Sequence, residues 1–338
     1  MTFSSLSPSL RRVLLCLTCS LAAGAPLAGA QTLRDSSLEA LYQAERTDEL
    51  QRVAQQRLAT QADDAQAVLA LALAAMEKDD GPARAKALER AQACAEKLPQ
   101  SAPCQYAYGV LLGVQAMSEG MVKAARSAST VKAALLAAHE AEPGWYPARS
   151  ALLEFYLLAP GFMGGSSSKA AELARSAPKP EQVAALQGRL ALQEKQFEAA
   201  LAAFEALPAT IDPALQIDVR AWSMQAGLGA ISAGQAAKAQ PVFERMSRDR
   251  PSHAQGVYGL GRVRGELGDW SEALRLYERA ATLKGAATWP VAYRMGIALQ
   301  KLGRVDDAKA AFQRFIIAGK GQKPSLEDAR KRLEQLGG

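Results

Sequence analysis

Glycines followed by a hydroxyl and a lysine can make a phosphate-binding turn, because backbone N–H groups at a helix start and a cation converge on the anion. Residues 157–171, LLAPGFMGGSSSKAA, come nearest to that chemistry in this chain. The spacing does not meet it: Ser166 follows Gly165 where a Walker A loop needs lysine, and the preceding ALLEFYLLA reads as helix rather than strand. The structural reading accounts for every residue type. Pro160 ends a helix, Gly164 and Gly165 permit positive φ, and a serine among 166–168 caps a helix beginning near Lys169. A weaker anion site at the free N–H groups of that helix start stays open.

The remaining reactive side chains do not assemble into a catalytic pattern. His139 and His253 are the only histidines, and His139 opens HEAE, which lacks the second histidine of a zincin HExxH. No serine sits in a G-x-S-x-G elbow. The acid pairs Glu140/Glu142 and Asp306/Asp307 stand where solvated helix ends and turns want charge. Glu119, Lys123 and Arg126 follow at i, i+4 and i+7, read as surface pairing along one helix. Cys94 and Cys104 have no third and fourth ligand near them for zinc. The expectation is a protein that is not an enzyme and takes no metal or cofactor.

The start of the chain assigns a compartment. Arg11 and Arg12, an apolar run over 13–23, and Ala28-Gly29-Ala30 before Gln31 have the layout of a Sec-type signal peptide cleaved after Ala30. A periplasmic location follows as the expectation. Beyond residue 30 no stretch reaches the eighteen or so apolar residues of a membrane span, so no stable membrane insertion is expected. Of the chain's 40 Lys and Arg against 34 Asp and Glu, two arginines leave with the signal. The small excess reads as thinly spread, with no basic run beyond Arg330-Lys331-Arg332, and nucleic acid is not an expected partner.

These groups must be held by helices. Ala, Leu, Glu, Lys, Arg and Gln abound, and alternating β-branched runs are nearly absent. The clearest unit is residues 256–285, GVYGLGRVRGELGDWSEALRLYERAATLKG. There Trp270, Ala273, Leu274, Tyr277, Ala280 and Ala281 share a helical face, and Gly268-Asp269 breaks the chain before them. Gly296, Gly303, Ala308 and Phe312 repeat the register of Gly261, Gly268, Ala273 and Tyr277. Gly227, Gly234, Ala239 and Phe243 precede them, and Gly188, Ala200 and Phe204 come earlier still. The first glycines are 39, 34 and 35 residues apart.

That period and those residues resemble the tetratricopeptide repeat (TPR), and FYLLAPGFMGGSSSKAAELA resembles a segment of exported bacterial TPR proteins. The resemblance implies an all-α class: a TPR-like superhelical array of antiparallel helical hairpins, an α-solenoid. Its expected organisation is a signal peptide at 1–30, irregular hairpins over 31–178 with an enlarged one at 110–178, and regular repeats over 179–338 closed by a capping helix. That last helix is expected to start at Pro324-Ser325. In such an array Cys94 ends one helix and Cys104 begins the next, which favours a disulfide over two buried thiols.

The family also implies a function, a non-enzymatic scaffold or adapter that binds a protein or peptide in its concave groove. First-helix positions three before and one after the small contact residue line that groove. Transferred, they are Tyr106 and Val110, Ala185 and Arg189, Met224 and Leu228, Tyr258 and Arg262, and Tyr293 and Ile297. Of these, Tyr106, Arg189, Tyr258, Arg262 and Tyr293 are the candidate anchors, Tyr258 and Tyr293 having repeat-to-repeat packing as the alternative. Some twenty residues around 157–171 are also distantly similar to the T-component of TRAP solute transporters. That likeness implies a second reading, a solute-binding accessory of a transport system.

Overall fold

The computed structural model of the chain describes residues 31–78, 80–319 and 321–337. The expected signal peptide, residues 1–30, lies outside them. Among the described residues there are seventeen α-helices and no strand. The only β-type pairing among them is one isolated bridge between His253 and Lys284. No helix among them is long and apolar enough to cross a membrane.

Packing divides the chain into two compact units. The N-terminal unit comprises residues 31–190 and 207–219 and the C-terminal unit residues 191–206 and 220–338.

The N-terminal unit is built from α1 (Ser36–Gln43), α2 (Thr47–Thr60), α3 (Ala65–Glu77), α4 (Gly81–Lys97), α5 (Ala102–Glu119), α6 (Met121–Ala141), α7 (Tyr146–Leu158) and α8 (Ser167–Arg175). Most of α9 (Pro180–Gln193) and the start of α11 (Pro213–Ser232) belong to it as well. From α1 to α8 each helix packs against the next. Short polar residues start them: Asp35, Asp64, Asp80 and Ser101 each accept N–H groups of the first turn that have no partner within the helix. Helix α3, AQAVLALALAAME, is apolar nearly all round and is accordingly buried on most sides.

The longest hairpin of this unit is α5 with α6, of 18 and 21 residues, joined through Gly120 alone at φ 104°. Glu119 therefore ends one helix while Lys123 and Arg126 lie on the next. The single-helix reading of those three residues is replaced by a turn across which Glu119 and Lys123 still pair at 3.5 Å. Cys94 on α4 and Cys104 on α5 are joined by a disulfide, their Cα atoms 5.4 Å apart.

The C-terminal unit contains α10 (Phe197–Glu205), the rest of α11, α12 (Ala236–Asp249), α13 (Ala254–Glu266), α14 (Trp270–Ala281), α15 (Val291–Lys301), α16 (Val305–Ala318) and α17 (Lys323–Gln335). Its hairpins share one contact. A Cβ added to Gly227, Gly261 or Gly296 would stand 2.4, 2.6 or 2.6 Å from the ring of Phe243, Tyr277 or Phe312 respectively. The missing side chain on the first helix is the seat of the aromatic on the second, and only glycine leaves that room. On α14 the pattern is completed by Ala273, Leu274 and Ala280 inside, with Arg275, Glu278 and Arg279 facing water. The last helix begins at Lys323, earlier than Pro324-Ser325 suggested. Pro324 falls within its first turn, which needs no N–H from it, and no side chain caps the end. Ala329 is its buried contact.

Candidate functional site

The turn at 160–166 is built as a corner. Helix α7 stops at Leu158, a 3-10 turn spans Gly161–Met163, and Gly164 takes φ 95°. Ser166 caps α8 by accepting from the Lys169 N–H at 3.3 Å. Gly165 is required for space rather than for positive φ: a Cβ there would lie 1.7 Å from the Ala159 carbonyl oxygen.

Four of the five expected groove anchors are buried, and each has a partner inside its own unit. Tyr106 meets Trp145 edge to face with ring centres 5.0 Å apart. Tyr258, only 2% exposed, stacks on Trp289 at 5.2 Å and packs beside Tyr277. Tyr293 lies against Phe312 and Phe315 while its hydroxyl donates to Asp328 at 2.7 Å. Arg189 is held by Glu154, Nε donating at 2.5 Å and Nη2 at 2.8 Å. Side chains so enclosed have almost no surface to give a partner. They shape and hold the helices, and the expectation that they line an accessible groove is corrected accordingly. Arg262 is the exception, half-buried on α13. Of the neighbouring positions, Val110, Ala185 and Met224 are buried, whereas Leu228 and Ile297 are half-buried.

Arg189 belongs to a polar seam that local sequence motifs do not reveal. Tyr146, Ser150 and Glu154 recur every four residues along α7 and so share a face, and all three are buried. The Tyr146 hydroxyl donates to Asp218 Oδ2 at 2.8 Å, and Ser150 Oγ donates to the same oxygen at 2.5 Å. Burial drives the Asp218 carboxyl up to about 7, against the two hydroxyl donors and the Arg189 charge, with Glu154 adding to the rise. The buried Tyr42 and Tyr106 hydroxyls also feel Asp218, and burial raises both. A carboxyl near neutrality is suited to proton transfer when it faces a cleft. Asp218 instead lies under Tyr146, itself 1% exposed, and shares its proton donors with the chain. The i, i+4, i+8 spacing on α7 is a visible hint; nothing in the sequence pairs it with residue 218.

Arg149 locks the same region differently, donating from Nη1 to the Leu173 carbonyl at 2.8 Å and from Nη2 to the Pro143 carbonyl at 3.1 Å. Burial lowers His139, with Arg149 adding to the effect. In the C-terminal unit burial lowers His253 to about 4, with Arg250 and Arg220 contributing. Both shifts favour the neutral imidazole. An open depression of about 510 Å³ beside α2 and α3 is lined by Glu45, Thr47, Asp48, Glu77 and Lys78. Its groups already engage one another: Thr47 donates to Glu77, and Lys78 pairs with Asp48 at 2.5 Å.

Charge separates the two units. Residues 31–190 and 207–219 carry 17 Lys and Arg against 20 Asp and Glu, whereas 191–206 and 220–338 carry 21 against 14. The positive excess therefore lies in the C-terminal unit, spread over short local runs. There the half-buried Arg262 and Arg294 both act on the Tyr277 hydroxyl, whose pKa burial raises and the two guanidiniums oppose.

Residues 224–288 match the tetratricopeptide repeat family. This stretch includes the Gly227/Phe243 and Gly261/Tyr277 hairpins, two of the repeats read from the sequence. No curated protein matches the chain. Among solved structures, the chain is similar to one in the APC/C hetero-tetramer Cut9-Hcn1, with a TM-score of 0.49 and 15% identity over 89% of this chain and 57% of that one. It is also similar to yeast Tom70, with a TM-score of 0.43 and 12% identity over 81% of this chain and 64% of that one. The chain thus spans less than two thirds of either. The short likeness to the TRAP T-component finds no support in these matches.

Proposed function

We propose that the chain is an exported, non-enzymatic scaffold, and that its helical hairpins hold a segment of a protein partner. The tetratricopeptide repeats over 224–288 supply the architecture for this reading. The observation that carries it furthest is the excess of seven positive charges in the C-terminal unit, with Arg262 and Arg294 half-buried on neighbouring first helices. An acidic segment suits that unit, because clustered guanidiniums attract carboxylates from a distance and pair with them bidentately on contact. Export rests on the signal-like residues 1–30, and an oxidising compartment agrees with the Cys94–Cys104 disulfide.

The test is a titration of the mature chain into a fluorescein-labelled oligoglutamate peptide, read by anisotropy. Binding is expected at low salt, weakening as salt rises, and the double variant Arg262→Ala/Arg294→Ala is expected to lose most of it. Binding equal to that of an oligoserine control sinks the acidic-partner reading. Mass analysis of the chain from the producing cell tests export: a mature N-terminus at Gln31 is expected, and an intact residue 1 in the cytosol refutes it.

A further inference from the structure

We propose that the turn at residues 160–166 is a rigid docking knob whose Phe162 ring enters an apolar pocket, rimmed by acidic side chains, on a protein partner. Phe162 is 84% exposed and is the one exposed aromatic residue among those described. A turn that only reverses the chain needs no large apolar ring at its tip, and this one is left uncovered on a backbone tied down from both sides.

The turn holds that ring firmly. The Met163 and Gly165 N–H groups both donate to the Pro160 carbonyl, at 2.8 and 3.2 Å, and the Ser166 N–H donates to the Tyr156 carbonyl at 2.9 Å. Gly164 supplies the positive φ and Gly165 the absent Cβ that let the chain fold back so tightly. The Lys132 side chain of α6 runs alongside, near enough that a Cβ on Gly164 would stand 3.1 Å from its Nζ. A ring carried on backbone already ordered surrenders little freedom on binding, and aromatic anchors of this kind concentrate the energy of protein interfaces.

Charge at the turn selects the partner. Lys132 lies beside Gly164, and Lys169 sits with its Nζ 5.7 Å above the Tyr156 ring. No carboxylate pairs with either among the described residues. Two ammonium groups without a carboxylate partner, beside the turn and on the helix it opens, call for an apolar pocket with acidic edges. A lipid surface is the weaker occupant, because a single aromatic side chain gives only marginal membrane hold and gains nothing from a fixed backbone. This knob lies in the N-terminal unit and uses none of the residues invoked for the acidic segment, so either idea can fail while the other stands.

The experiment places p-benzoylphenylalanine at position 162 of the full chain in the producing cell and irradiates it, with the same photoprobe at Ile317 as control, a residue also 84% exposed. Expected is an adduct with one protein, from 162 and not from 317, whose linked residue lies in an apolar pocket bordered by Asp or Glu. With that protein purified, Phe162→Ala should weaken binding roughly thirtyfold, the loss typical of an interface anchor. Phe162→Trp should keep most of the affinity, and Lys132→Glu with Lys169→Glu should weaken it further. The melting temperature of Phe162→Ala should match the parent, since the ring lies outside the core. Lipid adducts alone, equal labelling from 162 and 317, a linked residue on a polar surface, or unchanged binding by Phe162→Ala would each overturn the proposal.

Discussion

Hairpins in the two units solve the same close-packing problem with different chemistry. In the C-terminal unit a bare glycine receives the ring of Phe243, Tyr277 or Phe312, and shape alone holds the pair. In the N-terminal unit the equivalent Gly109 meets the aliphatic Leu135, a Cβ there lying 2.9 Å from Leu135 Cδ2. Much of the remaining order there is polar or covalent: Asp218 under two hydroxyls, Glu154 clasped by Arg189, and a disulfide between α4 and α5. A changed apolar contact is partly relieved as its neighbours shift, whereas a buried ion pair fails sharply once a partner is removed. The irregular unit should therefore be the more brittle one under single substitutions.

The sharpest break should come from Arg189→Met. It leaves the Glu154 carboxylate, buried on α7, without its guanidinium, and a cost of about 3–5 kcal/mol is expected in urea denaturation. The double change Glu154→Gln/Arg189→Met should recover much of the loss. Hydrogen exchange should localise the damage to α7 and α9 and leave α14 and α15 protected; damage spread evenly would erase the contrast between the units.

Asp218 gives that contrast a pH signature. Its folded carboxyl is raised from 3.8 to about 7, so the folded state holds a proton that the unfolded state releases earlier. The associated stability is fully present below about pH 4, falls as pH rises through the folded value near 7, and changes no further above it. The total is on the order of a few kcal/mol. Asp218→Asn should flatten the stability profile between pH 4 and 7 as followed by thermal melts. An unchanged profile in that variant would show that other groups carry the dependence.

Reducing the disulfide, or replacing both cysteines by serine, should cost about 2–3 kcal/mol, since the bridge closes a loop with a separation of 10 residues. Gly261→Ala should cost about 1–3 kcal/mol, because its Cβ would meet the Tyr277 ring at 2.6 Å. Gly113→Ala on α5 is the matching control. Its Cβ would find Val131 at 3.6 Å, an ordinary contact, and the gain in helix propensity should make it neutral or mildly stabilising. Equal losses for the two alanines would mean that ring-in-glycine packing does not govern the C-terminal hairpins.

Reading forward from the residues worked best where contacts are short in sequence. Gly261 and Tyr277 belong to one hairpin, sixteen positions apart at a repeating register, so the recurrence of both was legible in the sequence, although that the ring seats on the glycine was not. The turn at 160–166 was nearly as clear, although Gly165 proved necessary for lack of space rather than for its φ. The groove anchors fared worse, because a repeat register tells which helix face a residue occupies and not whether a neighbouring ring has closed over it. Tyr258 is the plain case: its cover, Trp289, stands on a connecting segment outside the repeat pattern.

What the sequence by itself determined is the helical class, the hairpin repeat with its period, and the register at which glycine and aromatic recur in each hairpin. Helical periodicity and turn chemistry act over a few turns, and they leave a local trace. Only the tertiary structure decided that Asp218 lies beneath Tyr146 and Ser150, that Arg189 is spent on Glu154, and that the positive excess gathers in one unit while Phe162 stands out from the other. Those outcomes depend on which faces the stacked helices turn toward one another. Burial and charge are properties of that meeting, and no single segment carries them.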